Sequence, residues 1–213
     1  MAFGNGIKFG DYHTAADWML FLADVEISPP EVQTYTVEVP GRDGYLDLTD
    51  VITEDVRYYN RTLEATFDVA IVDRSTTWAD IVSEIYSRIH GQKLKIILDD
   101  DPDWYYYGRV SVDGDSSSGE ITITADCEPY KYAVSETVYE ISKSCTAALV
   151  NGRMKVTPTV TVTNETMITT SESSISLSAG SYDMTDFALS EGVTEWEIET
   201  SGTVTIAYRQ GRL

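Results

Sequence analysis

Side chains equipped for acid–base or nucleophilic work are scarce in this sequence. Its 213 residues include two histidines, His13 and His90, and two cysteines, Cys127 and Cys145. Neither cysteine has a histidine close to it in sequence, no Gly-x-Ser-x-Gly elbow occurs, and no glycine-rich loop with lysine offers a phosphate cradle. His90 falls in the last turn of a predicted helix, where a cationic ring would suit the negative end of the helix dipole, so a capping role is expected. Asp99, Asp100, Asp101 and Asp103 could offer oxygens to Ca²⁺, but they lack the alternating spacing and closing glutamate of an EF-hand loop, and a solvated acidic turn is expected instead. Tyr105, Tyr106 and Tyr107 could stack on sugars or bases. Adjacent residues of a strand point to opposite faces, however, so core on one side and interface on the other is the expectation. A carboxylate pair for hydrolysis cannot be singled out among 35 acidic side chains. The sequence thus predicts no enzyme, with no catalytic residue, no metal site and no cofactor.

Thirty-five acidic against fifteen basic residues give a net charge of −20, which opposes contact with nucleic acid, anionic lipid or any other polyanion. The excess is uneven: residues 1–132 hold 25 acids and 10 bases, residues 133–213 only 10 and 5. The longest apolar run, Trp18 to Ala23, is far short of a membrane span. The start has no basic segment leading into an apolar one, which predicts folding in a cytoplasm and two free, mostly buried thiols.

The elements that must position these groups are mostly strands. Trp18 to Ile27 reads as a first strand stopped by Pro29-Pro30. Tyr35, Val37 and Val39 alternate with polar residues, Pro40-Gly41-Arg42-Asp43-Gly44 turns the chain, and Tyr45, Leu46 and Leu48 resume an extended run. Leu63, Ala65, Phe67, Val69 and Ile71 keep strict period two, so one face is buried. From Trp78 the apolar spacing changes to three and four through Ile89, giving one amphipathic helix, with Thr77 and Asp80 as a capping box and Gly91 as its left-handed end. Strand Lys93–Leu98 follows. Leu98 to Tyr132 then reads as an acidic turn, a strand from Tyr105 to Val112, a reversal over Asp113–Gly119, and a return strand closed by Pro129.

Beyond Tyr132 short Thr-, Val- and Ile-rich strands alternate with turn signals at Asn151-Gly152, Ala179-Gly180, Glu191-Gly192 and Ser201-Gly202, as in an antiparallel β-sandwich. Val193, Trp196 and Ile198 with Val204, Ile206 and Tyr208 look like its last hairpin, and residues 169–174 like a long loop. Two domains are expected, 1–132 and 133–213.

These segments resemble the distal tail proteins of siphophages and prophages, the Dit family. Pro40-Gly41-Arg42-Asp43-Gly44-Tyr45-Leu46-Asp47-Leu48-Thr49 is similar to that family's PGRDG-x-LDLT segment, and Trp78 to His90-Gly91 to its helix. Asp101-Pro102 with Tyr106-Tyr107-Gly108-Arg109-Val110 resembles DP-x-YY-GRV, Pro129-Tyr130-Lys131-Tyr132 resembles PYKY, and the run from Leu189 to Leu213 resembles the closing hairpin. The departure is Ser190 to Thr194, where many members carry a Gly-Asn pair.

The resemblance implies a mainly β protein with one helix: an N-terminal split β-barrel like a tail-tube module, and a C-terminal galectin-like β-sandwich. It further implies a homo-hexameric ring at the distal end of the virion tail, assembled in the host cytoplasm. Its partners would be the tail tube protein on one side and tail-tip and receptor-binding baseplate proteins on the other, with DNA passing through the lumen unbound. Arg42, Asp43, Gly44, Tyr106, Tyr107, Arg109, Pro129, Tyr130 and Tyr132 become structural or interface candidates. A different class of function, a lectin-like module holding cell-wall sugar, is the alternative. The second domain has no histidine and a single tryptophan, Trp196, from which a galectin sugar site cannot be assembled.

Overall fold

The computed structural model describes residues 6–49, 51, 55–69 and 77–213. The chain divides into two compact units, Met1–Pro129 and Tyr130–Leu213. The first contains β1 (Ile7–Phe9), β2 (Tyr12–His13), α1 (Thr14–Trp18), β3 (Leu20–Ile27), β4 (Thr36–Glu38), β5 (Tyr45–Asp47) and β6 (Arg61–Val69). It continues with α2 (Trp78–Ile89), β7 (Lys93–Leu98), β8 (Trp104–Asp115) and β9 (Glu120–Cys127).

Seven of these strands form one antiparallel sheet in the order β2-β1-β7-β8-β9-β6-β3. Laid flat, its two edges would stand roughly 29 Å apart, at about 4.8 Å per strand spacing. Yet β2 and β3 are joined by α1, five residues that rise only about 7.5 Å. The sheet must therefore roll until its edges approach, and α1 bridges the seam of a split barrel.

Helix α1 is a departure from the sequence reading, which ran a strand from Trp18. A reciprocal cap makes the turn: Ala16 N–H donates to His13 Nδ1 (3.3 Å) and His13 N–H donates to Asp17 (2.6 Å). Met19 then leaves the helix in the left-handed region (φ 53°), so β3 begins at Leu20. A histidine is a rare substitute for the Ser, Thr, Asp or Asn that marks such a start.

Period two in β6 does what it predicts: Leu63, Ala65 and Phe67 are fully buried. Ile71, its expected continuation, lies outside the described residues. They meet Ile7, Phe9, Leu20, Ile96, Ile121 and Ile123 in one core, into which α2 inserts Ile85 and Ile89. Each such side chain contributes about 1.5–3 kcal/mol relative to exposure. The capping box of α2 is complete, with Thr77 and Asp80 bonded reciprocally, and the Thr77 hydroxyl and backbone hold the Asp80 carboxyl below its ordinary range.

The second unit contains β10 (Lys131–Ala133), β11 (Thr137–Ile141), β12 (Cys145–Asn151), β13 (Thr159–Val162), β14 (Thr166–Thr169) and β15 (Ser174–Leu177). After β16 (Gly180–Asp183) and a 3-10 turn come β17 (Gly192–Thr200), β18 (Val204–Tyr208) and β19 (Gly211–Arg212). Two four-stranded antiparallel sheets, β11-β18-β13-β16 and β12-β17-β14-β15, bury Leu149, Val160, Ile168, Ile198, Val204 and Ile206 in a common core. Trp196 lies in that core, edge-on to Phe187 at 5.9 Å.

Three expectations for this unit need correction. β17 and β18 are not a hairpin: they belong to different sheets, and Ser201-Gly202 arches from one layer to the other. Residues 170–173 are not a long loop but a tight turn joining β14 to β15, with Thr170 N–H donating to the Ser173 carbonyl at 2.8 Å. Both thiols are free, but only Cys127 is buried; Cys145 is exposed because, although in phase with the buried Ala147 and Leu149, it stands at the very start of β12, beyond the covered part of that face.

Candidate interaction surfaces

The β4–β5 hairpin is a two-stranded sheet of its own, with Thr36 opposite Asp47 and Glu38 opposite Tyr45. Gly41 (φ 81°) and Gly44 (φ 76°) take the left-handed conformations that its Pro-Gly-Arg-Asp-Gly tip needs. Arg42 and Asp43 are exposed at that tip. The Leu-Asp-Leu-Thr part clamps the base: Tyr35 N–H donates to the Thr49 hydroxyl, Leu48 N–H to the Tyr35 carbonyl, and Thr49 N–H to Asp47. The Thr49 hydroxyl and backbone together hold the Asp47 carboxyl below its ordinary range. A lone hairpin is marginal in water. This one also leaves apolar area uncovered, with Tyr45 65% and Val37 47% exposed.

The Tyr-Tyr-Gly-Arg-Val segment lies in β8 and does different work. Tyr106 is in the core, with the Arg61 guanidinium 5.7 Å from its ring centre. Tyr107 points the other way and is half-buried beneath Lys93, whose Nζ stands 4.6 Å from the ring centre. Gly108 lets β8 approach β9 closely. Arg109 Nη1 donates to the Gly91 carbonyl (2.6 Å), tying the end of α2 to the sheet. Backbone bonds Gly91 N to Val110 O (2.7 Å) and Val110 N to Gln92 O (2.8 Å) complete that joint.

His90 is the C-cap of α2, as expected, with its N–H donating to the Tyr86 carbonyl (3.2 Å), and its ring belongs to the same joint. Its Nδ1 accepts from Val112 N–H (3.0 Å) and its ring stacks on Tyr86 at 4.6 Å. The ring therefore docks the end of the helix on β8.

The acidic turn is also partly occupied. Asp99 accepts from Gly6 N–H (2.8 Å) and lies 3.1 Å from His13 Nε2, a pairing across 86 residues that no spacing rule announces. No group of three metal-ligating side chains is found among the described residues.

Pro129 ends the first unit. Tyr132 lies in β10, opposite Gly211 of β19, so the PYKY exit pairs with the very end of the chain. Arg209 Nη1 donates to the Ala133 and Val134 carbonyls and reinforces this closure, and Tyr130 enters the strand half-buried. The second unit also has a groove of about 800 Å³ over β17 and the β14–β15 turn, lined by Thr146, Thr169, Glu195 and Glu197 among others. No aromatic ring lines it, and Trp196 is 1% exposed, its faces covered by core.

No family model and no curated protein matches the sequence. The fold does have a solved counterpart. The crystal structure of the phage SPP1 Dit protein (gp 19.1), described as a paradigm of the hub adsorption apparatus in phages infecting Gram-positive hosts, superposes with a TM-score of 0.72. The match covers 98% of this chain and 99% of that one at 15% sequence identity. A likeness that spans barrel and sandwich together gives the identification its content: this chain carries the Dit fold across both of its units.

Proposed function

We propose that this protein is the hub of a phage or prophage tail, a homo-hexameric ring at the distal end of the virion. The ring joins the tail tube protein to tail-tip and receptor-binding baseplate proteins and continues the conduit for DNA. The observation that carries this reading is the near-complete likeness to the SPP1 hub protein in both units at once. Ring formation belongs to residues 1–132. The protein acts by assembly, not by catalysis, and it is built in the host cytoplasm. Support comes from the β4–β5 hairpin, whose uncovered apolar faces suit burial against a neighbour. The acidic balance of residues 1–132 suits a wall that DNA must slide past, since each phosphate held by a base would retard passage. The lectin alternative draws no comparable support: the groove over β17 has no aromatic lining, and the smaller groove beside the 3-10 turn reaches only Phe187 and Trp196, 8% and 1% exposed, which present no open ring face for a sugar to stack on.

Electron microscopy of the purified protein and of tails that contain it tests the proposal. Six-fold rings built from residues 1–132 are expected. Absence of six-fold packing in both specimens overturns it.

A further inference from the structure

The outward face of the barrel sheet is electrically divided. On β1, β7 and β8, residues that alternate with the buried ones include Lys8, Lys93, Lys95 and Arg109, with Asp113 and Asp115 the acids among them at the far end of β8. On β9, β6 and β3 the outward positions hold Glu120, Asp126, Glu64, Asp68, Asp24 and Glu26, and no base. Because the sheet is rolled, these two groups of strands occupy opposite flanks of the unit.

The register makes this more than a tally of charge. Sheets ordinarily gain stability by setting opposite charges across from each other, and like charges directly opposite cost stability. Here Glu26 stands opposite Glu64 and Asp68 opposite Glu120 on the acidic flank, while Lys93 stands opposite Arg109 on the basic one. Lys93 and Arg109 are relieved within the chain, by Glu128 at 2.6 Å and by the Gly91 carbonyl. Among the described residues, Glu26, Glu64, Asp68 and Glu120 have no basic partner. A sheet that sorts its charges in this way is unfavourable alone and complementary to a copy of itself placed side by side.

Resting on the ring reading above, we infer that successive copies associate head to tail, the Lys8–Lys95 flank of one against the Glu64–Asp68 flank of the next. Such a contact is heterologous and closes into a ring when the rotation between copies allows. Its attraction is screened by salt.

The test uses the full chain and two charge-reversed variants, each checked for native thermal unfolding. Lys8→Glu/Lys95→Glu turns the basic flank acidic, and Glu64→Lys/Asp68→Lys sets two lysines at the contact on the acidic flank, opposite the lysines of the next copy. At about 50 mM NaCl the wild type is expected to form rings whose dissociation constant rises at least tenfold by about 500 mM. Each variant alone is expected to lose the ring, and a mixture of the two to regain it as alternating copies. A merely structural role for these residues gives no rescue on mixing. If the wild type and each variant form the same ring at both salt concentrations, the charged contact is wrong and the hub reading stands. A folded wild type that remains monomeric at low salt also overturns the contact, and the hub reading falls with it only if tails lack the six-fold ring as well.

Discussion

Gly108→Ala is a substitution whose cost can be worked out atom by atom. Gly108 sits inside β8 directly opposite Cys127 of β9. A Cβ there would stand 2.6 Å from Cys127 Sγ, 2.7 Å from the Asp126 carbonyl oxygen and 2.9 Å from Cys127 Cα. Its φ is not positive, so alanine meets no conformational barrier and would gain about 0.4–1 kcal/mol by restricting the unfolded chain. Overpacking costs about 1–3 kcal/mol. The upper part of that range applies, because two of the three atoms are backbone of a central strand and the third is a fully buried thiol. The net is a loss of about 2 kcal/mol, or roughly 4–8 °C in Tm for a unit of this size. Thermal unfolding followed by circular dichroism measures it. Cys127→Ala in the same chain removes the sulfur contact and leaves the carbonyl one, so the pair should be less destabilised than the sum of the singles by about 1 kcal/mol. A Tm for Gly108→Ala within about 1 °C of wild type would mean that β8 and β9 do not approach as described.

Gly44→Val should destabilise the β4–β5 hairpin by about 1–2 kcal/mol through its left-handed φ alone, since nothing lies within 4 Å of the new Cβ. Unchanged thermal stability together with unchanged hydrogen exchange at Val37 and Leu46 would remove the turn assignment. Burial, aided by the Asp126 carboxylate and opposed by Arg61, pushes the Cys127 thiol up to about 12 from an ordinary 9.0. The folded state then keeps a proton that the unfolded chain releases. Stability present below pH 9 should therefore be lost as pH rises toward 12, by at most about 1.4 kcal/mol per unit, and Cys127→Ala should lack that component of the slope. Equal slopes for the two proteins would refute the burial argument. At low salt neither the purified chain nor its ring should retard duplex DNA, whereas retention in a gel-shift assay would refute the conduit reading while leaving the fold untouched.

Much of the first unit was legible because its signals are local and periodic. The alternation in β6, the shift to helical spacing at Trp78, the Thr77–Asp80 cap and the Asp43-Gly44 turn each act within a few residues, and each appears where the pattern puts it. What was not legible depends on distant partners. His90 reads as a helix-end cap, which it is, but that its ring also accepts the Val112 amide of β8, 22 residues on, is set by the fold. α1 hides because a histidine replaces the usual cap, and because its purpose, joining the two edges of a rolled sheet, exists only in the folded unit. The segregated charges are plain in composition, but only the register shows which carboxylates face each other.

The second unit illustrates what turn chemistry can and cannot say. Gly, Asn and Ser mark where the chain reverses, and every reversal expected there occurs. Nothing in those residues specifies whether the next strand stays in its sheet. Between β11 and β18, consecutive strands change sheet at every step except β14 to β15. The reason lies in the core: Trp196 and Ile198 of β17 and Val204 and Ile206 of β18 must enter one apolar layer from opposite sides, so the chain between them crosses the layer instead of folding back beside itself. Asn151 shows the same pressure. Its Asn-Gly pair suggests a hairpin, yet its side chain is buried and Nδ2 donates to the Met154 and Leu189 carbonyls, pinning the passage from β12 to β13. The motifs divide along a similar line. Tyr-Tyr-Gly-Arg-Val and Pro-Tyr-Lys-Tyr are satisfied inside the chain, by the α2 joint and by β19, and so carry little information about partners. The Pro-Gly-Arg-Asp-Gly hairpin is held by its clamped base, its own strand pairing and the Arg42 N–H to Val39 carbonyl bond, and its exposed apolar strands make it the segment whose stability should change most when the protein is assembled.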